Sequence, residues 1–289
     1  MDGDGDLDLL TARASGAVNP VDLNSSDLIW LENPGNPVFS PGTSNNGAGQ
    51  WKTYVITSAH NIADTYLDAF QNPAGPAGNI IVIAGGFASQ TLAIFQSKNW
   101  KNVDSVSANI IDNDGNYFTQ QFADLDQDGI LDVIITIGSY SVQNGKLIVY
   151  RGSFNDDSEY NLSQKSVIYD QFPVWPSPGL GSPGEGTAFW YSDLAKQSYR
   201  PPNILVSGDD DGNIYIAEPA SSIFGDYNLK TIYTSAEFNP KQNPLNAPTV
   251  GKPVTGDFTG NGCNDIVVPN YRNEQLVVLE LEEGFCGTN

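Results

Sequence analysis

The stretch Asp124-Leu-Asp126-Gln-Asp128-Gly129-Ile-Leu-Asp132 sets carboxylates at positions 1, 3, 5 and 9 of a nine-residue loop, and the apolar run Val133-Ile-Ile-Thr-Ile137 follows at once. Acids at alternate positions repel one another unless a cation lies between them. Gly129, at position 6, supplies the positive φ that a tight turn needs. A loop that offers hard oxygens and neither nitrogen nor sulfur suits Ca²⁺, which takes about six to eight oxygen ligands in loose geometry. An EF-hand loop is longer, ends in a bidentate Glu and is flanked by helices. Here the flank is β-branched and of strand type. The sequence therefore predicts a strand-loop-strand calcium site built from Asp124, Asp126, Asp128 and Asp132.

The motif recurs. Met1-Asp2-Gly3-Asp4-Gly5-Asp6-Leu7-Asp8 is the same loop with its first position lying before Met1, and it runs into Leu9-Leu-Thr-Ala12. A third version, Asp257-Phe-Thr259-Gly-Asn261-Gly-Cys-Asn-Asp265, leads into Ile266-Val-Val268 with two neutral oxygens in place of acids. Two further copies are degenerate. One offers Asp64 and Asp68 around an insertion, the other Asp193 followed by Ala195, Gln197 and Pro202, and both are expected to be metal-free. Loop starts fall at about 0, 64, 124, 193 and 257. Between them lie short apolar runs: Leu28–Leu31, Lys52–Ile56, Asn79–Ile83, Leu92–Phe95, Ser105–Ile110, Tyr117–Ala123, Lys146–Tyr150, Ser166–Tyr169, Ala188–Asp193, Asn203–Ser207, Asn213–Ile216, Lys230–Tyr233 and Gln275–Leu279. A repeat of 60 to 69 residues carrying four short strands predicts an all-β chain of antiparallel four-stranded blades, with almost no helix. The expected blades are 1–58, 59–111, 112–170, 171–235 and 236–289, forming one propeller region.

Composition points the same way, with 29 Gly, 18 Pro, 13 Tyr and 13 Phe against a single Met. The net charge of −21 disfavours nucleic acid, because phosphate binding needs a basic stripe. No run approaches the roughly 20 apolar residues of a membrane-spanning helix. Since the chain opens inside a motif, Met1 is expected to be internal to a longer protein, and the first and last blades to be completed by further sequence or by a neighbouring chain.

These residues resemble the FG-GAP or VCBS repeat of integrin α-subunit propellers and of many secreted propeller proteins and lectins. The pattern Asp-x-Asp-x-Asp-Gly-x-x-Asp before an apolar strand is matched fully by Asp124, Asp126, Asp128 and Asp132. Asp2, Asp4 and Asp8 match with Asp6 as an extra acid, and Asp257, Thr259, Asn261 and Asp265 match with a weaker ligand set. The resemblance implies calcium-binding β-propeller blades and is poor in information about function.

Other features bear on location and chemistry. Cys263 and Cys286 either bridge, as suits a secreted protein, or are two free buried thiols. Asn24-Ser-Ser and Asn161-Leu-Ser fit the N-glycosylation pattern. Asp209-Asp-Asp-Gly212 reads as a hairpin turn. The lone His60 reads as a core residue rather than a catalyst, and Trp30, Trp51, Trp100, Trp175 and Trp190 serve either blade packing or sugar stacking. The leading expectation is an extracellular calcium-stabilised binding module for a glycan or protein. The alternatives are a structural subunit of an extracellular assembly and a propeller lyase or dehydratase acting on sugars.

Overall fold

The computed structural model of the chain describes residues 1–14, 26–35, 51–56, 66–72, 79–139, 143–173, 181–197, 201–235, 249–271, 273–281 and 286. It is all-β, with five antiparallel sheets of three or four strands. Each sheet is a meander in which consecutive strands are neighbours. The chain divides into two compact units, Met1–Asp114 with Phe154–Asn161, and Gly115–Ser153 with Leu162–Asn289.

The first unit holds two sheets. One is β1 (Leu9–Ala14), β2 (Ser26–Glu32) and β3 (Lys52–Ile56); the other is β4 (Leu67–Gln71), β5 (Ile80–Gly85), β6 (Leu92–Ser97) and β7 (Ser107–Asp112). A core of Leu28, Trp30, Tyr54, Val82, Phe95 and Trp100 lies between them. Trp30 and Tyr54, cross-strand partners on β2 and β3, stack with ring centroids 4.2 Å apart. The Trp30 indole N–H donates to the Trp100 carbonyl at 3.2 Å, which satisfies a polar group that burial would otherwise strand.

The second unit holds three sheets, save the last residue of β10 and the first two of β11, which fall in the first unit. The first is β8 (Asn116–Ala123), β9 (Asp132–Gly138), β10 (Gly145–Phe154) and β11 (Tyr160–Phe172). The second is β12 (Gly186–Phe189), β13 (Asn203–Ser207), β14 (Asn213–Pro219) and β15 (Tyr227–Thr234), with a short helix α1 (Asp193–Gln197) between β12 and β13. The third is β16 (Val254–Gly256), β17 (Asp265–Asn270) and β18 (Gln275–Leu279). Ile134, Leu147, Val149, Ile204 and Val206 form one core, and Phe189, Leu205, Ile216, Ile266 and Val268 another.

Burial explains the sequence pattern. In each four-stranded sheet the second strand is covered on both faces, so β5, β9 and β13 read as continuous apolar runs rather than alternating ones. The fourth strands, β7, β11 and β15, are mostly exposed or half-buried and carry polar residues. Two expectations are corrected. Asp68 belongs to β4, opposite Ile83, and not to a loop, because Leu67-Asp-Ala-Phe-Gln71 pairs with β5 along its length. The run at 188–193 leaves the sheet after Phe189 and turns into α1, whose first-turn Asp193 suits a helix N-terminus.

Candidate metal centre

β8 and β9 are adjacent antiparallel strands, with Ala123 opposite Asp132, so the 124–131 loop is the turn of a hairpin. Its side chains fold it. The Asp126 carboxylate accepts the Asp128 amide at 3.3 Å, Asp128 accepts the Ile130 amide at 2.8 Å, and Asp124 accepts the Gly129 amide at 3.1 Å. Gly129 takes φ of 87°, the conformation for which glycine is suited. Leu125, fully buried, pins the loop to the core beneath.

Asp124, Asp126 and Asp128 each present an oxygen, all within 4.8 Å of one another. Among the described residues this is the only such convergence of three acids. One Asp124 oxygen is buried without a hydrogen-bond partner, an orphaned acceptor of the kind a cation satisfies. Desolvation pushes the Asp124 carboxyl up, and the neighbouring Asp128 and Asp126 charges push the same way. The donor set fits a hard divalent cation such as Ca²⁺.

Asp132, the fourth acid of the expected ligand set, lies apart from the converging three. Its two oxygens accept the Leu125 amide at 3.0 Å and the Gly152 amide at 2.9 Å, so it ties the start of the loop to β10. Burial pushes its carboxyl up to about 7 against the pull of those amides. The last acid of the other loops repeats the device: Asp8 accepts the Asn33 amide at 2.8 Å, and Asp265 accepts Leu281 at 3.2 Å and Phe258 at 3.0 Å. These acids fasten the sheet.

In the 2–8 loop, Asp2 accepts the Asp4 amide and Asp4 the Asp6 amide, the same ladder as at 126 and 128. The Lys101 ammonium sits 2.8 Å from Asp2 and 2.6 Å from Glu32, and it holds the Asp2 and Glu32 carboxyls below their ordinary range. Desolvation and then Asp4 push the Asp6 carboxyl up, and one Asp6 oxygen is buried without a hydrogen bond.

The 257–265 loop closes on itself. Asp257 takes the amides of Gly260, Asn261 and Gly262, at 2.7, 3.0 and 3.0 Å. Thr259 donates its hydroxyl to Asp265 at 3.0 Å, while Asn261 accepts from the Cys263 amide and donates to the Leu281 carbonyl. Asp265 is buried, which raises its carboxyl, but these donors outweigh burial and hold it below the ordinary value. The Asp257, Asn261 and Asp265 side-chain oxygens accept backbone amides, and the Thr259 hydroxyl is turned to Asp265.

Cys263 is joined to Cys286 in a disulfide. Asn161 lies on β11, its side-chain amide donating to the Glu159 carbonyl at 3.3 Å. Trp30 and Trp100 are core residues. Trp190 is half-buried, with the Lys196 ammonium 5.1 Å from its ring, and both line a cavity of about 860 Å³ with Gln121, Asp124 and Asp128. Asn24, His60, Asp64 and Trp175 lie outside the described residues.

Sequence reasoning missed the depth of the 209–212 turn. It does join β13 to β14, but Asp210 reaches the Gly181 amide at 2.8 Å and the Thr249 hydroxyl at 2.8 Å, and Asp211 takes hydroxyls from Ser182 and Tyr215 at 2.9 and 2.7 Å. No local signal announces Gly181, Ser182 and Thr249, which lie 29 to 39 residues away in the chain. Comparison of the sequence with protein-family models and with curated proteins finds no match in either.

Proposed function

We propose that the chain is an extracellular, calcium-stabilised module of FG-GAP/VCBS type, its sheets serving as propeller blades, and that it binds a partner rather than transforming a substrate. The observation that carries the calcium reading is the convergence of Asp124, Asp126 and Asp128 around an orphaned Asp124 oxygen, on a hairpin anchored by Leu125. The disulfide between Cys263 and Cys286 supports an oxidising compartment. The cavity beside the loop, with the Trp190 ring, the Lys196 ammonium and the Gln121 amide, offers the aromatic and polar surfaces on which a glycan binds.

Calcium titration by calorimetry after chelation, with elemental analysis of the purified protein, tests the metal. Glycan-array binding with and without chelator tests the ligand. No calcium uptake at millimolar concentrations would refute the first part, and chelator-independent silence on the array the second.

Exposed Val254, Leu276 and Val278 on the last sheet favour a second reading, in which that apolar face is covered by another chain of an assembly. Native mass measurement separates the two.

A further inference from the structure

Arg151, on β10, directs its guanidinium at the loop across the sheet. One Nη lies 2.7 Å from an Asp126 oxygen and 3.2 Å from an Asp128 oxygen, and the group sits 5.5 Å from the centroid of the Phe224 ring. Two of the three converging acids are therefore already neutralised by a cation that belongs to the chain.

The pattern across the loops shows that this placement answers a physical need. In the 2–8 loop the acid corresponding to Asp126 is Asp2, and Lys101 is paired with it. Lys101 reaches it from the turn after β6, whereas Arg151 comes from within its own sheet. In the 257–265 loop the corresponding residue is Thr259, which brings no charge and closes internally on Asp265. An acid at that position comes with a basic partner, delivered from whichever element can reach.

Resting on the calcium reading of the loop, we infer that Arg151 is an internal counter-cation that competes with the metal. Calcium at about 2.3–2.6 Å from its oxygens needs the same lone pairs of Asp126 and Asp128 that the guanidinium occupies, and two positive groups at that spacing repel. Metal entry displaces Arg151 from the acids, and the freed guanidinium stays over the Phe224 ring, where a cation is attracted to the π-face. Without metal, Arg151 keeps the loop folded. With metal, it lowers the affinity. The site thereby responds to calcium at concentrations well above those a bare acid triad would need.

The test titrates calcium into the full chain after chelation, for wild type, Arg151→Gln and Arg151→Lys, with thermal unfolding of each in chelator. Arg151→Gln should bind calcium about tenfold more tightly or better, and melt about 2–4 °C lower without metal. Arg151→Lys, which keeps the charge but loses the fork, should fall between, and it serves if the Gln variant does not fold in chelator. Calcium binding by wild type with unchanged or weaker affinity in Arg151→Gln would overturn the inference and leave the calcium reading standing. No binding by wild type or either variant would overturn both.

Discussion

The Asp132 carboxylate and the Gly152 amide meet at 2.9 Å, joining the first residue of β9 to the far end of β10. The other Asp132 oxygen holds Leu125, so one buried side chain fixes a loop entry and a neighbouring strand together. Replacing Asp132 by Ala leaves two amides without acceptors, at roughly 1–3 kcal/mol each. Asp132→Ala should lower the unfolding free energy by about 3 kcal/mol in urea denaturation, and Asp132→Asn, which keeps one acceptor, by about 1 kcal/mol. Equal effects of the two would mean that the carboxylate acts through its charge alone.

Calcium should raise the unfolding temperature of chelated protein, by the equivalent of about 2.7 kcal/mol at one hundred times the dissociation constant. Asp126→Ala should abolish most of that shift, since it removes one of the three converging carboxylates. Thr259→Ala should leave it intact, because the Thr259 hydroxyl is spent on Asp265. Differential scanning calorimetry with and without metal reads both.

Asp209, at the β13–β14 turn, has its carboxyl pushed up to about 7 by burial and then by Asp210, Asp211 and Glu185. The folded protein therefore holds a proton that the unfolded chain releases near 3.8, so this group's contribution to stability is whole below that pH and declines as pH rises toward 7. Asp209→Asn should be more stable than wild type by about 1–2 kcal/mol at pH 8, with the gap closing below pH 4. Asn also tolerates the positive φ of 53° found there. A gap of constant size across pH would refute the assignment.

The disulfide closes a separation of 23 residues. In the chain-entropy treatment, replacing both Cys263 and Cys286 by Ser should cost roughly 3 kcal/mol. Chemical denaturation of the oxidised protein against the double variant measures it, and an unchanged midpoint would show that the bridge constrains little.

How far the sequence revealed these features depended on the range over which each is determined. The strands β9 and β13 were legible because a strand covered on both faces must be apolar throughout, which leaves a mark in consecutive residues. β4 was not, since Asp68 and Gln71 break the run and the strand is recognisable only against β5. The acids at 124, 126 and 128 were found from spacing alone. The division of labour between them and Asp132 was not, because it depends on which oxygens meet Leu125 and Gly152 once β10 has paired. The likeness of the 257 loop to the 124 loop concealed a difference in its internal bonds: the neutral Thr259 turns its hydroxyl to Asp265, where Asp126 in the 124 loop meets Arg151.

The fastening of the 124 loop is drawn from a short stretch of chain. The polar contacts of Leu125, Asp132, Arg151 and Gly152 all lie between β8 and the end of β10, and the registers of the two hairpins bring them together. A tandem duplication of that stretch would carry its polar closure with it and would need from its surroundings only an apolar core under Leu125. The loop at 2–8 is not so portable: its cation is Lys101, 69 residues beyond the Glu32 it also holds, so a copy of that loop cut away from the following sheet would arrive with its charges unbalanced.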